Sequence, residues 1–328
     1  MAAPMLYFLD IGWAADPKII IPHGRILKGT ADQAPLVTLV GGEDAPDGID
    51  VCHANQRLYW TCMGIPDQND GAVRSCRLDG TDIQYVVPRG AVHTPKQIFI
   101  NESGPKPMLY FCDREGMRVW RCYVDGDNLE ILYQAGDQSN PADVMDKRHH
   151  CVGVGVAPKQ GKVYFTLKGP SKGKLGRLMR ISMTMPEGCT PTTRSDVECI
   201  FDHLPEPIDI DIDEAGGWLY WSDRGELPLG NSVNRIRLSK IDELLASGME
   251  PSRRAGPGVY QILARNLHEA VGVKLDVVDR HVYTTDLGGA VYRFDIDHGE
   301  HEEKTGTCRI YDRQGDGAFT GIALWRPS

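Results

Sequence analysis

The sequence of 328 residues lacks the signals of several large protein classes. It has no uninterrupted apolar run as long as a membrane-spanning helix requires. It has no basic run and no face on which basic and aromatic residues alternate, and its formal net charge is −9 at pH 7. We therefore expect neither nucleic acid nor insertion into a membrane, because nucleic acids and anionic membranes attract positively charged surfaces.

Cysteine is present in an odd number and without paired spacing. The nine cysteines form no CxxC pair and no Cys/His pattern of a zinc site, and most of them lie inside predicted strands. In such positions a cysteine is typical of a small core residue. The N-terminal stretch lacks the basic start of a signal peptide, so we expect a reducing, cytoplasmic location.

Several catalytic and cofactor motifs are also missing. No GKS or GKT phosphate loop, no GxSxG turn and no HExxH helix occurs in the sequence. The glycine-rich stretch "GVGVAP" (153–158) lacks a complete GxGxxG, and no helix is predicted after it. The sequence therefore predicts no dinucleotide site and gives no basis for nucleophilic catalysis.

An aromatic motif is repeated along the chain. "LYWSD" (219–223) has five other copies: "LYFLD" (6–10), "LYWTC" (58–62), "LYFCD" (109–113), "VYFTL" (163–167) and "VYTTD" (282–286). The copies recur roughly every fifty residues, which is the range of propeller blades. Aromatic residues and hydroxyls without a helical period predict a buried strand.

Further strands are predicted on both sides of each motif. About nine residues upstream, pairs such as Ile49 and Val51, or Ile210 and Ile212, alternate with other residues as in a strand. Downstream, segments such as "VNRIRL" (233–238) predict a third strand, and segments such as "LEILY" (129–133) a fourth. Four antiparallel strands in each of six repeats predict an all-β fold, a six-bladed β-propeller.

The two ends of the sequence complete each other. The motif at 6–10 has no inner strand before it, and "FTGIALW" (319–325) is an inner strand with no motif after it. We therefore expect N- and C-terminal strands to share one blade, which removes an open sheet edge. The sequence predicts a single propeller domain over 1–328, with a surface insertion around 239–258 whose short helical pattern is either a surface excursion or a lid over the channel.

The repeat pattern resembles that of the YWTD six-bladed propellers of lipoprotein-receptor ectodomains. The resemblance rests on the six motif copies together with "LDG" (78–80) and "VDG" (124–126). The opening "LYFLDIG", the "HGRIL" strand and the closing "FTGIALW" resemble fungal hetero-Diels–Alderases of tropolonic sesquiterpenoid biosynthesis. That resemblance implies dehydration of a hydroxymethyl tropolone to a quinone methide, which adds to the alkene of a cyclic terpene without a cofactor.

Residues that differ between the repeats are the candidates for a site. The alternation of the inner strands predicts that these residues face the central channel: Asp50, Gln97, Phe99, Gly155, Asp209, Asp211, Lys274 and Ala323. Neighbouring carboxylates repel each other, so at least one of them should be protonated, paired or metal-bound. We expect a salt bridge across the channel between Lys274 and Asp211. The alternative to a functional site here is a purely structural ion pair with channel water.

Roles in the implied reaction follow from position. His150, His268 and Glu206 lie at the starts of inner strands and are the predicted proton donors. Arg224 and Lys274 are predicted to stabilise the developing tropolonate oxygen, and Arg114 to bind the same kind of oxyanion. Trp13, Phe99 and Met117 are predicted to hold the apolar small-molecule substrate.

Two other functions remain open from the sequence. A metal-dependent lactonase-like hydrolase would hold a divalent cation with Glu206, Asp209 and Asp211. A non-catalytic scaffold would bind a peptide over the mouth of the propeller, because a fold alone decides no function. The sequence does not indicate an oligomeric state.

Overall fold

The computed structural model describes residues 3–13, 21–65, 68–256, 258–297, 308–313 and 316–327. These residues form six antiparallel sheets of four strands each. The prediction of a six-bladed propeller is confirmed.

The strands follow the chain from blade to blade. The first blade begins with β1 (Met5–Asp10), β2 (Gly24–Thr30) and β3 (Val37–Glu43). The second contains β4 (Pro46–Cys52), β5 (Arg57–Cys62), β6 (Gly71–Arg77) and β7 (Gln84–Val92). The third contains β8 (Pro95–Asn101), β9 (Met108–Asp113), β10 (Arg118–Tyr123) and β11 (Glu130–Gln134).

The second half of the ring repeats this order. The fourth blade contains β12 (Cys151–Ala157), β13 (Lys162–Leu167), β14 (Gly176–Ser182) and β15 (Glu198–Leu204). The fifth contains β16 (Pro207–Asp213), β17 (Trp218–Asp223), β18 (Ser232–Arg237) and β19 (Gln261–Ala264). The sixth contains β20 (Ala270–Asp276), β21 (His281–Asp286), β22 (Ala290–Asp295) and β23 (Cys308–Asp312).

The last strand, β24 (Phe319–Trp325), closes the ring. It pairs antiparallel with β1 as the innermost strand of the first blade, and Tyr7 lies opposite Ala323. Each inner strand also contacts the inner strands of both neighbouring blades. The predicted sharing of one blade by the terminal strands is confirmed, and it leaves the ring without an unpaired inner edge.

The aromatic motif is a structural element of each blade. Its tyrosine is buried in every copy. The hydroxyl of Thr61 accepts a hydrogen bond from the Gly48 N–H of its own blade (2.9 Å) and donates one to the Lys96 carbonyl of the next blade (2.8 Å). Thr166, Ser222 and Thr285 form the same two bonds. The small hydroxyl residue of the motif thus joins the inner strands of adjacent blades.

Every inner strand contains a β-bulge near its beginning. The pairing with the motif strand shifts between Pro46 and Ile49 in β4, and equivalent shifts occur in the other five inner strands. A bulge inserts one residue and interrupts the alternation of side chains. The first residues of the inner strands therefore do not follow the period of two that holds further along.

Helices in the described residues are short. They are α1 (Pro141–Met145), α2 (Leu238–Ala246) and two single-turn 3-10 segments, Lys147–His149 and Pro251–Arg253. Helix α2 buries Leu238, Ile241 and Leu244 and packs on β15 and β18. These strands lie towards the outside of their blades, so α2 is no lid over the channel. In the described part of the chain, no helix has the length and apolar character needed to cross a membrane.

Candidate functional site

A cavity of about 200 Å³ lies where the inner strands begin, at one end of the central channel. Most of its wall consists of two sets of six residues, with one residue of each set from every blade. The lower ring is the second residue of each inner strand: Asp47, Lys96, Val152, Ile208, Val271 and Thr320. The upper ring is the residue directly after each motif: Ile11, Met63, Arg114, Lys168, Arg224 and Leu287.

The cavity has a charged side and an apolar side. In the upper ring, Arg114, Lys168 and Arg224 come from three consecutive blades and form a cationic arc. Ile11, Met63 and Leu287 come from the other three blades, with Trp13 beside them. In the lower ring Val152, Ile208 and Val271 pack together with Leu287. A protein of net charge −9 thus presents a positive, half-apolar cavity, which fits a small anion with an apolar body.

Lys96 is a charged residue of the lower ring, and its surroundings shift its pKa. Its ammonium group donates to a carboxylate oxygen of Asp47 and lies 3.1 Å from the Met63 sulfur. Burial lowers the pKa of Lys96 to about 8, and Arg114 and Arg224 act in the same direction against the attraction of Asp47. Lys96 therefore loses its proton at a lower pH than an exposed lysine does, and burial lowers the pKa of Lys168 in the same direction.

The cationic arc is held by two carboxylates behind it. Glu206 accepts hydrogen bonds from Lys168 Nζ (3.1 Å) and from Arg224 Nε and Nη2 (2.9 and 2.8 Å). Arg114 Nε donates to Glu115 at 2.6 Å. Burial acts to raise the pKa of Glu206, but Arg224 and Lys168 outweigh it and hold that pKa below its ordinary value. These ion pairs hold the three cationic side chains in place at the cavity wall.

The structure brings some of the predicted site residues to this cavity. Trp13, Arg114 and Arg224 line it, and Trp13 also lines an open depression of about 1170 Å³ beside it. Glu206 lies directly behind the wall. Its lowered pKa and its several donors favour the ionised form, which does not favour the predicted role as a proton donor.

Neither predicted histidine lines the cavity. His268 lies in the neighbouring depression, where its backbone N–H donates to Asp286 (3.0 Å). His150 is buried, and neither of its ring nitrogens has a hydrogen-bond partner among the described residues. Burial lowers the pKa of His150 to about 3, so the ring is neutral near pH 7 and is not the predicted cationic acid.

The predicted channel residues form a separate layer, deeper than the cavity. Lys274 Nζ lies 2.8 Å from Asp50 and 3.8 Å from Asp211, and 5.7 Å from the centre of the Phe99 ring. The predicted salt bridge exists. None of these four residues lines the cavity, so their predicted contacts with a substrate and the oxyanion role of Lys274 find no support there.

The channel aspartates serve the packing of the blades. Asp209 accepts the backbone N–H of Val273 and Asp211 that of Leu275, each at 2.9 Å across to the next blade. Asp50 accepts the N–H of Ile100 at 2.9 Å in the same way. Burial raises the pKa of both Asp209 and Asp211. Asp50, Asp209 and Asp211 thus link the inner strands of neighbouring blades.

The remaining two predicted contacts also lie behind the wall. Gln97 donates through Nε2 to the side chain of Asp47 (3.0 Å) and supports that residue from below. Met117 is fully buried beside Gly136, so it offers no surface to a ligand. The prediction of Met117 as an apolar wall is wrong because its turn points the side chain into the protein.

Three charged wall residues were missed by the sequence reasoning: Asp47, Lys96 and Lys168. A signal was present, since "APDG" (45–48) and "TPKQ" (94–97) place charges where other repeats have Val152, Ile208 or Val271. Strict alternation assigns this position to the blade interior together with Ile49. The bulge of each inner strand reverses that assignment.

The carboxylates proposed for a metal do not fit one. Glu206 is paired with Lys168 and Arg224, whereas Asp209 and Asp211 bind backbone N–H groups deeper in the channel. A divalent cation needs several free oxygen ligands around one point. The described residues do bring Asp276, Asp279 and His281 together near the other ends of their strands, but Arg326 pairs with both carboxylates.

Two fungal proteins are similar to this chain in sequence. A Pyricularia oryzae protein called low-density lipoprotein receptor-related protein 1 is 40% identical over 323 residues, which are 97% of each chain. This chain belongs to the same family. The 3-hydroxyacyl-CoA dehydrogenase-like protein LAM1 of Cochliobolus heterostrophus is also 40% identical, over 98% of this chain. The chain spans 64% of the length of LAM1.

The comparison with solved structures agrees with the fold. The nidogen/laminin complex contains a chain that matches with a TM-score of 0.67 at 14% identity, over 98% of both chains. TolB from Acinetobacter baumannii matches with a TM-score of 0.58 at 10% identity, over 98% of this chain and 66% of TolB. At such identities the likeness concerns the fold alone. No protein-family model matches the chain.

Proposed function

We propose that this family member is a cofactor-independent enzyme of small-molecule metabolism, a hetero-Diels–Alderase that binds an acidic hydroxymethyl tropolone as its anion in the mouth cavity. The observation that carries the proposal is the division of the upper ring into a cationic arc and an apolar arc. The oxygen-bearing edge of the tropolone ring suits the cationic arc, and its hydrocarbon edge suits the apolar arc. We also propose a cytoplasmic location, supported by nine free thiols.

The cationic arc would stabilise negative charge on the tropolone oxygens. Arg114 and Arg224 reach the cavity wall while Glu115 and Glu206 hold their guanidinium groups in place. Fixed cations in a small, partly apolar cavity stabilise developing charge more strongly than water does. We therefore propose that Arg224, together with Arg114 and Lys168, stabilises the tropolone oxyanion.

The proton for the departing hydroxide would come from Lys96. Its ammonium group is the acid of the lower ring, and a pKa of about 8 suits proton transfer near neutral pH. The proton leaves Lys96 Nζ as the C–O bond of the hydroxymethyl group breaks, and water departs. The neutral quinone methide that remains has lost one molecule of water. It can then undergo cycloaddition with the alkene of the terpene.

The apolar arc would hold the second reactant close. The cavity is small, about 200 Å³, and we assign it to the tropolone ring. The terpene would therefore lie above, where Trp13 and Leu287 line both the cavity and the neighbouring depression. Holding two reactants together supplies much of the acceleration of a cycloaddition.

The other candidate functions have weaker support. The paired state of Glu206 disfavours the metal-dependent lactonase. A dehydrogenase activity, which the name of LAM1 suggests, lacks a nucleotide loop here, since Gly153 and Gly155 lie inside β12. An added Cβ at Gly153 would lie 1.9 Å from the Ile208 carbonyl oxygen, so this glycine serves strand packing.

The first test measures binding of tropolone to the purified protein by titration calorimetry at pH 7.5. We expect Arg224→Gln to weaken binding at least roughly tenfold, the equivalent of about 1.4 kcal/mol. Arg237→Gln is the matched control, because Arg237 is exposed on an outer strand away from the cavity. Equal affinity of all three proteins for tropolone would contradict the proposed site.

The second test measures product. A hydroxymethyl tropolone and a cyclic terpene alkene are incubated with the protein, and the dihydropyran is followed by chiral chromatography. We expect a faster and stereoselective reaction that Lys96→Met slows. A racemic product at the buffer rate, with tropolone still bound, would refute the enzyme and leave a binding protein.

A further inference from the structure

We propose that Lys96 is a nucleophile that forms an imine with a small aldehyde carrying a carboxylate, a covalent activity of the mouth cavity beyond the cycloaddition. The proposal does not depend on the cycloaddition. It rests on where the amine lies, on the carboxylate beside it and on the cations around it.

The amine is accessible from the cavity and otherwise enclosed. Lys96 is a member of the lower ring and lines the cavity, although its side chain is largely buried. Two neighbours contact its nitrogen: the Asp47 carboxylate and the Met63 sulfur, a weak acceptor at 3.1 Å. Most exposed lysines remain protonated at neutral pH, whereas a lysine that is desolvated or lies beside other cations is activated as a nucleophile.

Burial, helped by the surrounding cations, favours the neutral amine against the attraction of Asp47. Burial, with Arg114 and Arg224, brings the pKa of Lys96 to about 8. At pH 7 the neutral share is then on the order of a hundredfold larger than for a lysine with the ordinary value. Burial also lowers the pKa of Lys168, but three oxygen acceptors surround its ammonium group: Glu206 at 3.1 Å, the Gly169 carbonyl at 3.2 Å and the Ser171 hydroxyl at 3.5 Å. Among the described residues, the ammonium group of Lys96 has one oxygen acceptor, Asp47.

Asp47 can carry the protons of imine formation. Lys96 passes a proton to Asp47, and the nitrogen lone pair attacks the aldehyde carbon while the oxygen takes that proton. The carbinolamine nitrogen then gives a proton to Asp47, which delivers it to the hydroxyl group as water leaves and the C=N bond forms. The products are one water and a protonated imine paired with Asp47. No electrons are transferred to or from another molecule.

The cationic arc selects the substrate class. Arg114, Lys168 and Arg224 lie in the ring above Lys96, so a carboxylate a bond or two from the carbonyl carbon meets them when the carbonyl meets the amine. We therefore expect a small oxo acid to react faster than a neutral aldehyde of similar size.

The experiment traps the imine in the intact protein. The protein is incubated with glyoxylate and cyanoborohydride at pH 7.5, and adducts are counted by intact mass and located by peptide mass spectrometry. We expect one carboxymethyl group on Lys96, formed at least roughly tenfold faster than on any exposed lysine. Propanal should react more slowly at this position.

Variants separate the nucleophile from its charge. Lys96→Arg keeps a cation and removes the amine, so the fast adduct should disappear, and Lys240→Arg, at an exposed lysine on α2, should leave it unchanged. If Lys96→Arg fails to fold, the peptide map of the unaltered protein decides by itself. Adducts spread over exposed lysines with Lys96 unmodified would overturn the imine, whatever the outcome of the tropolone assays.

Discussion

Removing the charge of Lys274 should destabilise the ring from inside the channel. Its ammonium group lies between Asp50 (2.8 Å) and Asp211 (3.8 Å), which come from other blades. Burial works against the charge, but the two carboxylates outweigh it and raise the pKa of Lys274 above its ordinary value. Lys274→Met keeps most of the apolar stem and leaves both carboxylates without their cation.

The magnitude follows from the partners that remain. Loss of one member of a buried ion pair costs about 3–5 kcal/mol. The Lys274 side chain is 19% exposed, and Asp50 and Asp211 each keep two backbone N–H donors. We therefore expect a loss just below this range, about 2–3 kcal/mol in the free energy of unfolding at pH 7.5.

The loss should depend on pH. Burial already raises the pKa of Asp211 in the native protein, and without Lys274 it should rise further. A carboxyl group whose pKa is higher in the folded than in the unfolded chain binds more protons when folded. Its stability contribution is thus greatest at low pH and falls as pH rises through the folded pKa. The deficit of Lys274→Met should be smaller at pH 5 than at pH 7.5.

The assay is urea denaturation followed by tryptophan fluorescence at both pH values. Lys240→Met is the control, since the exposed pair of Lys240 with Glu243 should contribute less than about 0.5 kcal/mol. The double variant Lys274→Met/Asp50→Asn should recover part of the loss, because one uncompensated charge is gone. A deficit within error of the control, or one that is the same at pH 5 and pH 7.5, would refute the reasoning.

Three further results are expected. Met117→Ala should lower the free energy of unfolding by about 2–4 kcal/mol and leave tropolone affinity unchanged. Weaker tropolone binding by this variant would instead support a contact of Met117 with the substrate. Gly153→Ala should destabilise by about 1–3 kcal/mol in urea, since its Cβ would meet the Ile208 carbonyl; an unchanged midpoint would contradict this packing. Affinity for benzoate should fall roughly tenfold between pH 7 and pH 9.5 as Lys96 loses its proton, and calorimetry on Lys96→Arg should show no such fall.

The ring could be predicted from the chain because the repeats describe it redundantly. Each blade has its own motif, and its tyrosine must be buried between neighbouring sheets. The missing inner strand before Met5 and the extra strand at Phe319–Trp325 also indicate how the ring closes. Local strand pattern and repeat number are properties of the sequence, and the propeller follows from them.

The candidate site could be predicted only where it adjoins the motif. Arg114 and Arg224 directly follow recognisable motif copies, so their place at the mouth was evident. Lys168 has the same position, but its motif copy ends in Leu167 instead of aspartate, so the motif does not mark it as a site residue. Lys96 and Asp47 were hidden for another reason, the bulge at the start of each inner strand.

The sequence by itself thus determined six blades, their strand order and the shared terminal blade. Only the tertiary structure decided which charged side chains line the cavity and which pair with one another in the channel. One inserted residue per inner strand turns Asp47 and Lys96 into the cavity and leaves Asp50, Asp211 and Lys274 as an ion-pair layer below it. In a regular strand, the period of two tells on which face of the sheet each side chain lies. A bulge forms through pairing with a partner strand, so the sequence of one strand does not specify it.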